Sequence, residues 1–197
     1  LYWQTVNAGV EDVADSILAL SQVFRMLLSN GDRYVKVSHE FLLIEKYLEL
    51  QKMRFGERLS FAVNLQESIA GIVIPKLLIE PFVENSVVHG IKEMEGPCSI
   101  IVSGALNNDR LIFTINDTGG GMTEEETEAV LRGQDDEAHR QRMGRYAVKN
   151  ILDRLEIMYP GDYVLDIKSK KGEGTNVTMS IPAYGIPQDM KGKQRYE

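Results

Sequence analysis

The chain has 197 residues, 43% apolar and 26% charged, with a net charge of −7, the balance of a soluble globular protein. The acidic balance excludes a nucleic-acid surface, which needs a concentrated basic face, and the single cysteine, Cys98, excludes an intrachain disulfide. No stretch approaches the roughly 18 apolar residues of a membrane span, and a start at Leu-Tyr-Trp rather than methionine reads as a piece of a longer protein.

Val6, Val10, Val13, Ile17, Leu20, Phe24 and Leu27 are spaced 4, 3, 4, 3, 4, 3, a heptad seam that predicts a helix packed lengthwise on another helix. SNGD (29–32) ends it. A second helix is expected from an N-cap at Ser38, with Glu40 and Glu45 toward its start and Val37, Phe41, Ile44, Leu48 and Phe55 as its apolar face. A core hairpin explains the pair. Half of an intermolecular four-helix bundle explains the regularity of the seam better.

After residue 56 the texture changes. RLSFAVNL (58–65) alternates as a strand, and residues 72–91 read as a short strand leading into a helix with Pro75 in its first turn. Strands are expected at 99–106 and 110–117 around the turn NND, and Thr123 with Glu126 forms a capping box for a helix over 123–133. Residues 134–144 lack apolar periodicity and read as a mobile loop; 145–159 is an amphipathic helix; 163–170 and 175–182 are strands. The expected division is a helical dimerisation hairpin over 1–56, an α/β two-layer sandwich with a mixed sheet and three helices on one face over 57–184, and a polar, disordered tail over 185–197.

Three short segments carry the chemistry. The helix expected from Pro75 to Ile91 is apolar at Leu78, Phe82, Val83 and Val87, yet it holds Glu84, Asn85 and His89, with Pro81 inside it as an expected bend. Asn85 is either an asparagine satisfying nearby backbone or an oxygen ligand to magnesium, which takes one or two protein ligands plus substrate phosphates. The strand 110–117 places Leu111, Phe113 and Ile115 inward, so Asp117 should face the core, where a carboxylate without a partner costs several kcal/mol. DTGGGM (117–122) and KGEGT (171–175) are glycine turns, each explained singly by an ordinary turn.

In this order, ENSVVHG, DTGGGM, a lid, NILDRL and GEGT resemble the ATP-binding domain of the gyrase, Hsp90, histidine kinase and MutL superfamily, a Bergerat-type fold. VSHEFLLIEKYLELQKMRFGERL followed by IPKLLIEPFVENSVVHG is similar, more narrowly, to the LytS/YesM group of bacterial sensor histidine kinases. The resemblance implies ATP and Mg2+ as cofactors. Asp117 would accept the adenine amino group, and Asn85 would hold the magnesium. Gly119, Gly121 and Met122 would form the turn against the nucleotide. Thr175 would help hold adenine, with His89, Lys149 and Asn150 near the nucleotide and Arg140, Arg142 and Arg145 as lid contacts to phosphate. It further implies a homodimer through the hairpin, a response-regulator receiver domain as partner, an upstream transmembrane sensor, and a place in the cytoplasmic portion of a bacterial plasma-membrane protein.

Three departures stand out. The phospho-accepting histidine of the family aligns roughly ten residues before Leu1, and His39, His89 and His139 do not match its position. The GxGLxN box after the lid reads Arg145, Tyr146, Ala147, Val148, Lys149, Asn150, without its glycines; either Gly144 compensates, or an arginine forced into a left-handed conformation impairs nucleotide binding. Pro81 takes the place of an acidic or amide residue one turn before Asn85, leaving Glu80 and Glu84 as the nearest carboxylates, with Glu84 the favoured base. The expected function is the catalytic region of a histidine kinase. The alternatives are a degenerate pseudokinase that senses nucleotide or dimerises, and an ATPase that drives a clamp.

Overall fold

The computed structural model of the chain describes residues 33–91, 96–132 and 144–185. The heptad seam of the first hairpin helix, the loop 134–143 with Arg140 and Arg142, and the tail after Gly185 lie outside the described residues.

Strand β1 (Tyr34–Lys36) runs directly into helix α1 (Val37–Phe55). After a 3-10 turn come strands β2 (Leu59–Leu65) and β3 (Val73–Pro75), then helix α2 (Glu80–Asn85), which continues as a π-helical segment over Ser86–Ile91. Strands β4 (Cys98–Asn107) and β5 (Arg110–Asp117) form a hairpin through Asn108, which takes φ 52° in the turn. Helices α3 (Glu124–Arg132) and α4 (Gly144–Met158) precede strands β6 (Val164–Lys170) and β7 (Gly174–Pro182).

The main sheet has the order β2-β4-β5-β7-β6, with β2 and β4 parallel and every other pair antiparallel. Its period-2 pattern sorts the side chains cleanly. Ile100, Val102, Leu111, Phe113, Ile115, Val177, Met179 and Ile181 are buried on one face, while Ile101 on the other is exposed. The helices cover the buried face, so the expected mixed sheet with a single helical layer is what forms. Beyond the three expected helices, α1 lies in the same layer. Its Val37, Phe41, Ile44 and Leu48 join the same core as the sheet, and Phe41 packs against Phe113 with ring centroids 6.1 Å apart. No helix among the described residues is long and apolar enough to cross a membrane.

Three local expectations are corrected. Ser38 is not an N-cap: α1 begins one residue earlier, and the amides of Val37 and Ser38 donate to the carbonyls of Ile72 (2.8 Å) and Ala70 (3.1 Å). Pro75 ends β3, paired with Tyr34, and does not enter a helix. Pro81 stands in the first turn of α2, where a missing N–H leaves nothing unpaired that the helix would have paired, so it starts the helix and does not bend it. The capping box at Thr123 forms as read: the Thr123 amide donates to Glu126 (3.0 Å) and the Glu126 amide to Thr123 Oγ1 (3.2 Å).

Candidate nucleotide site

The alternation that buries Leu111, Phe113 and Ile115 also puts Asp117, at the end of β5, on the inner face. Strand register sets Asp117 opposite Ile100 on one side and Thr175 on the other, with Ser169 next beyond Thr175. An apolar floor therefore gives way at one end to a row of three polar side chains.

Asp117 is half-buried, and burial raises its pKa above the ordinary carboxylate value, against the pull of three hydrogen bonds. Ser86 Oγ donates to Oδ2 at 2.7 Å, and the amides of Gly119 and Thr175 donate to Oδ1 at 2.9 and 3.2 Å. These donors offset the cost of taking the carboxylate out of water. Each carboxylate oxygen accepts about two hydrogen bonds; Oδ1 has both, and Oδ2 has one among the described residues. The carboxylate is thus fixed in orientation with acceptor capacity left on Oδ2.

The glycines of the three segments meet one another. A methyl on Gly119 would sit 2.3 Å from Gly90 Cα, and one on Gly121, at φ 57°, would sit 2.0 Å from the Lys170 carbonyl oxygen. Gly174, at φ 101°, has the Asp117 carbonyl oxygen 2.0 Å from where its Cβ would be. The Gly172 amide donates to the Gly120 carbonyl at 2.8 Å. The turn after β5, the turn before β7 and the end of the π-helical segment therefore interlock into a single backbone surface beside Asp117. Met122 closes the turn, its amide donating to Ser169 Oγ at 2.8 Å, and that oxygen lies 2.9 Å from Thr175 Oγ1.

Asn85 is the last residue of α2, half-buried and adjacent to the Ser86 that holds Asp117. Its neighbour Glu84 is exposed. His89 falls in the π-helical segment, a helical irregularity found often at functional sites. Lys149 and Asn150 are exposed in α4, which packs on α2 and α3. Helix α4 starts at Gly144, so Arg145 has helical backbone. The described non-glycine residues with positive φ are Leu77 and Asn108. Of the two alternatives weighed for the box after the lid, the left-handed arginine does not form, and Gly144 opens the helix.

Sequence reasoning missed Ser86 and Ser169, and named Glu80 only as a carboxylate near Asn85. Burial, with Glu84 and Glu40 nearby, pushes the Glu80 carboxyl up to about 7. It also read Glu40 as a helix-dipole residue, whereas Glu40 is buried and accepts the Leu77, Ile79 and Glu80 amides. The signal for Glu40 was its place between Val37 and Phe41, on the apolar stripe of α1.

In this two-layer sandwich the last inner-face aspartate of β5 thus meets glycine turns and the helical segment that carries Asn85 and Ser86. The family model for histidine kinase-, DNA gyrase B- and HSP90-like ATPases matches residues 73–185, and that for histidine kinases matches residues 1–59. The chain belongs to the histidine kinase-, DNA gyrase B- and HSP90-like ATPase family.

The chain is similar to sensor histidine kinase YesM of Bacillus subtilis, 26% identical over 181 residues, which cover 91% of this chain and 29% of that protein. It is also similar to sensor histidine kinase YpdA of Escherichia coli, 27% identical over 185 residues, covering 93% and 31%. The chain thus spans about a third of the length of these relatives. Among solved structures, the histidine kinase domain of a blue-light activated kinase from Erythrobacter litoralis superposes with a TM-score of 0.52 at 15% identity, over 91% of this chain and 78% of that one. The catalytic domain of histidine kinase ThkA gives 0.55 at 10% identity, over 76% and 94%. These likenesses show the fold.

Proposed function

We propose that this chain is the ATP-binding catalytic region of a two-component sensor histidine kinase, and that it binds Mg-ATP between α2 and the lid. The observation that carries this reading is Asp117: an inner-face carboxylate oriented by Ser86, Gly119 and Thr175, with acceptor capacity left on Oδ2 beside a backbone surface that only glycines allow. A base amino group supplies the donor that capacity needs. A base presenting an acceptor there leaves the carboxylate unpaired and is rejected.

Gly119, Gly121, Met122 and Thr175 line the base side in this reading. Asn85, His89, Lys149, Asn150 and Arg142 serve the phosphate side. Among the described residues no cluster of three or more acidic, histidine or cysteine side chains could hold a metal. In this reading the donor set is one amide oxygen, Asn85, with the nucleotide's own phosphates, which fits magnesium. Bound there, magnesium would neutralise phosphate charge, and the protein's part is to position the nucleotide.

The transfer itself forms an N–P bond to a histidine on the dimer helix and breaks the bond from the γ-phosphorus to the bridging oxygen, releasing ADP. A receiver aspartate then takes the phosphoryl group. Glu84 is the candidate base for the histidine proton. The acceptor lies upstream of Leu1 in this reading, and the hairpin up to residue 56 forms the homodimer. A transmembrane sensor precedes it, with this region in the bacterial cytoplasm. Labelled ATP incubated with the protein extended upstream of Leu1 should give phosphohistidine on the first helix, passed to a receiver domain on addition. ATP binding without any label transfer would leave a nucleotide-sensing module instead.

A further inference from the structure

Residues 76–79 connect β3 to α2, and they and Glu80, the first residue of α2, are gripped from two sides. From α1, Glu40 (1% exposed) accepts the Leu77 amide on Oε2 at 3.0 Å and the Ile79 and Glu80 amides on Oε1 at 3.0 and 3.4 Å. From α4, Arg154 donates to the Lys76 carbonyl at 2.6 Å and the Leu77 carbonyl at 3.3 Å. Leu77, held between them, has φ 56°, a conformation a leucine rarely adopts and that persists only where its surroundings over-determine it.

The cap of α2 is therefore not local. Ile79 at the N-cap supplies no side-chain hydrogen bond, and its own amide and that of Glu80 go to a carboxylate 39 and 40 residues earlier in the chain. Local serine or aspartate would cap a helix without burying a charge. Here Glu40 takes on a desolvation that raises its own pKa, and Arg154, its own pKa lowered by burial, faces it electrostatically. What the distant arrangement adds is a connection. The gripped segment leads into the helix that ends in Asn85 and Ser86; one grip comes from the second hairpin helix, the other from the helix that follows the lid.

We propose that Glu40 and Arg154 are positioning residues of the nucleotide site: by clamping residues 76–80 they fix the entry of α2 and so the placement of Asn85 toward a metal-bound phosphate. The proposal rests on the reading of Asn85 as the magnesium ligand. Opposite it, Asp117 and the Gly90–Gly119 contact pin the far end of the same segment, so the base side is held independently of the clamp.

The two ends can be separated by calorimetry of ADP binding with and without magnesium. For the wild-type chain magnesium should strengthen ADP binding, and Asn85→Ala should abolish that gain. Glu40→Gln and Arg154→Lys should leave metal-free ADP affinity within about twofold and cut the magnesium-dependent gain by about tenfold. If both variants only lower the thermal midpoint and keep the full gain, the residues are structural and the proposal is overturned. Should Glu40→Gln fail to fold, Arg154→Lys decides alone, with Glu40→Asp expected to fall between it and wild type. A wild-type chain that binds no nucleotide, or gains nothing from magnesium, would instead overturn the underlying reading of the site.

Discussion

Gly90 and Gly119 touch backbone to backbone: a Cβ on Gly119 would fall 2.3 Å from Gly90 Cα and 2.9 Å from Asp117 Oδ1. The contact joins the π-helical end of the asparagine segment to the turn that follows β5. Gly119→Ala must push the two backbones apart, and forced overpacking of this kind costs about 1–3 kcal/mol. Denaturant unfolding should show that loss, together with weaker nucleotide binding. Gly71→Ala, where a Cβ meets nothing within 4 Å, should be stable within about 1 kcal/mol of wild type.

Asp117→Asn separates folding from recognition. An amide oxygen in the place of Oδ1 still accepts the Gly119 and Thr175 amides, and an amide nitrogen in the place of Oδ2 can donate to Ser86 Oγ. The fold should therefore hold. The adenine amino group would meet a donor, and affinity should fall by about 1–3 kcal/mol. Calorimetry with ATP on both proteins checks this; equal affinities would remove Asp117 from the base site.

Glu80 makes stability depend on pH. Its folded pKa, about 7, is raised from an ordinary 4.5, first by burial and then by Glu84 and Glu40. The folded state then holds a proton that the unfolded state has released. The contribution is fully present below about pH 4.5, is lost as pH rises toward about 7, and then levels off. The full loss is on the order of 3 kcal/mol. Glu80→Gln should lack this fall, so its stability relative to wild type should increase between pH 5 and about 7 in urea titrations. A constant difference across that range would place Glu80 in water.

Arg145 and Ala147 stand where the family box has glycines, but their backbone is helical from Gly144 onward. Glycine there no longer relieves strain. Arg145→Gly with Ala147→Gly should destabilise α4 by about 1 kcal/mol per residue and leave nucleotide affinity equal or weaker. Tighter binding in the double variant would mean that the side chains, not the helix, govern approach to the phosphates.

Much of this was legible locally. Leu111, Phe113 and Ile115 announce their strand by alternation, Asn108 its hairpin, and Thr123 its helix start, because each signal lies within a few residues of its effect. Asp117 was legible as inward-facing, and the order of the three polar and glycine segments pointed to the ATP-binding fold. Its partners were not legible. Ser86 and the Thr175 amide come from 31 and 58 residues away, and nothing local marks them. The same limit explains the misplaced caps. Ser38 has the chemistry of an N-cap, but carbonyls of Ile72 and Ala70 reach the helix start first. Pro81 reads as a bend inside a longer helix until Glu40, far upstream, holds the amides where the helix begins.

The central claim is that a fixed carboxylate, Asp117, reads the amino group of adenine. Titrating the chain with Mg-ATP and Mg-GTP in one calorimetric series tests it most directly, because the two share every phosphate and sugar contact. Guanine sets a carbonyl oxygen where adenine has its amino group, and two acceptors facing each other cannot pair. The account predicts that ATP binds and that GTP binds at least about tenfold more weakly, a difference of about 1.4 kcal/mol or more. Equal affinity for the two nucleotides, or no heat with ATP, would contradict it.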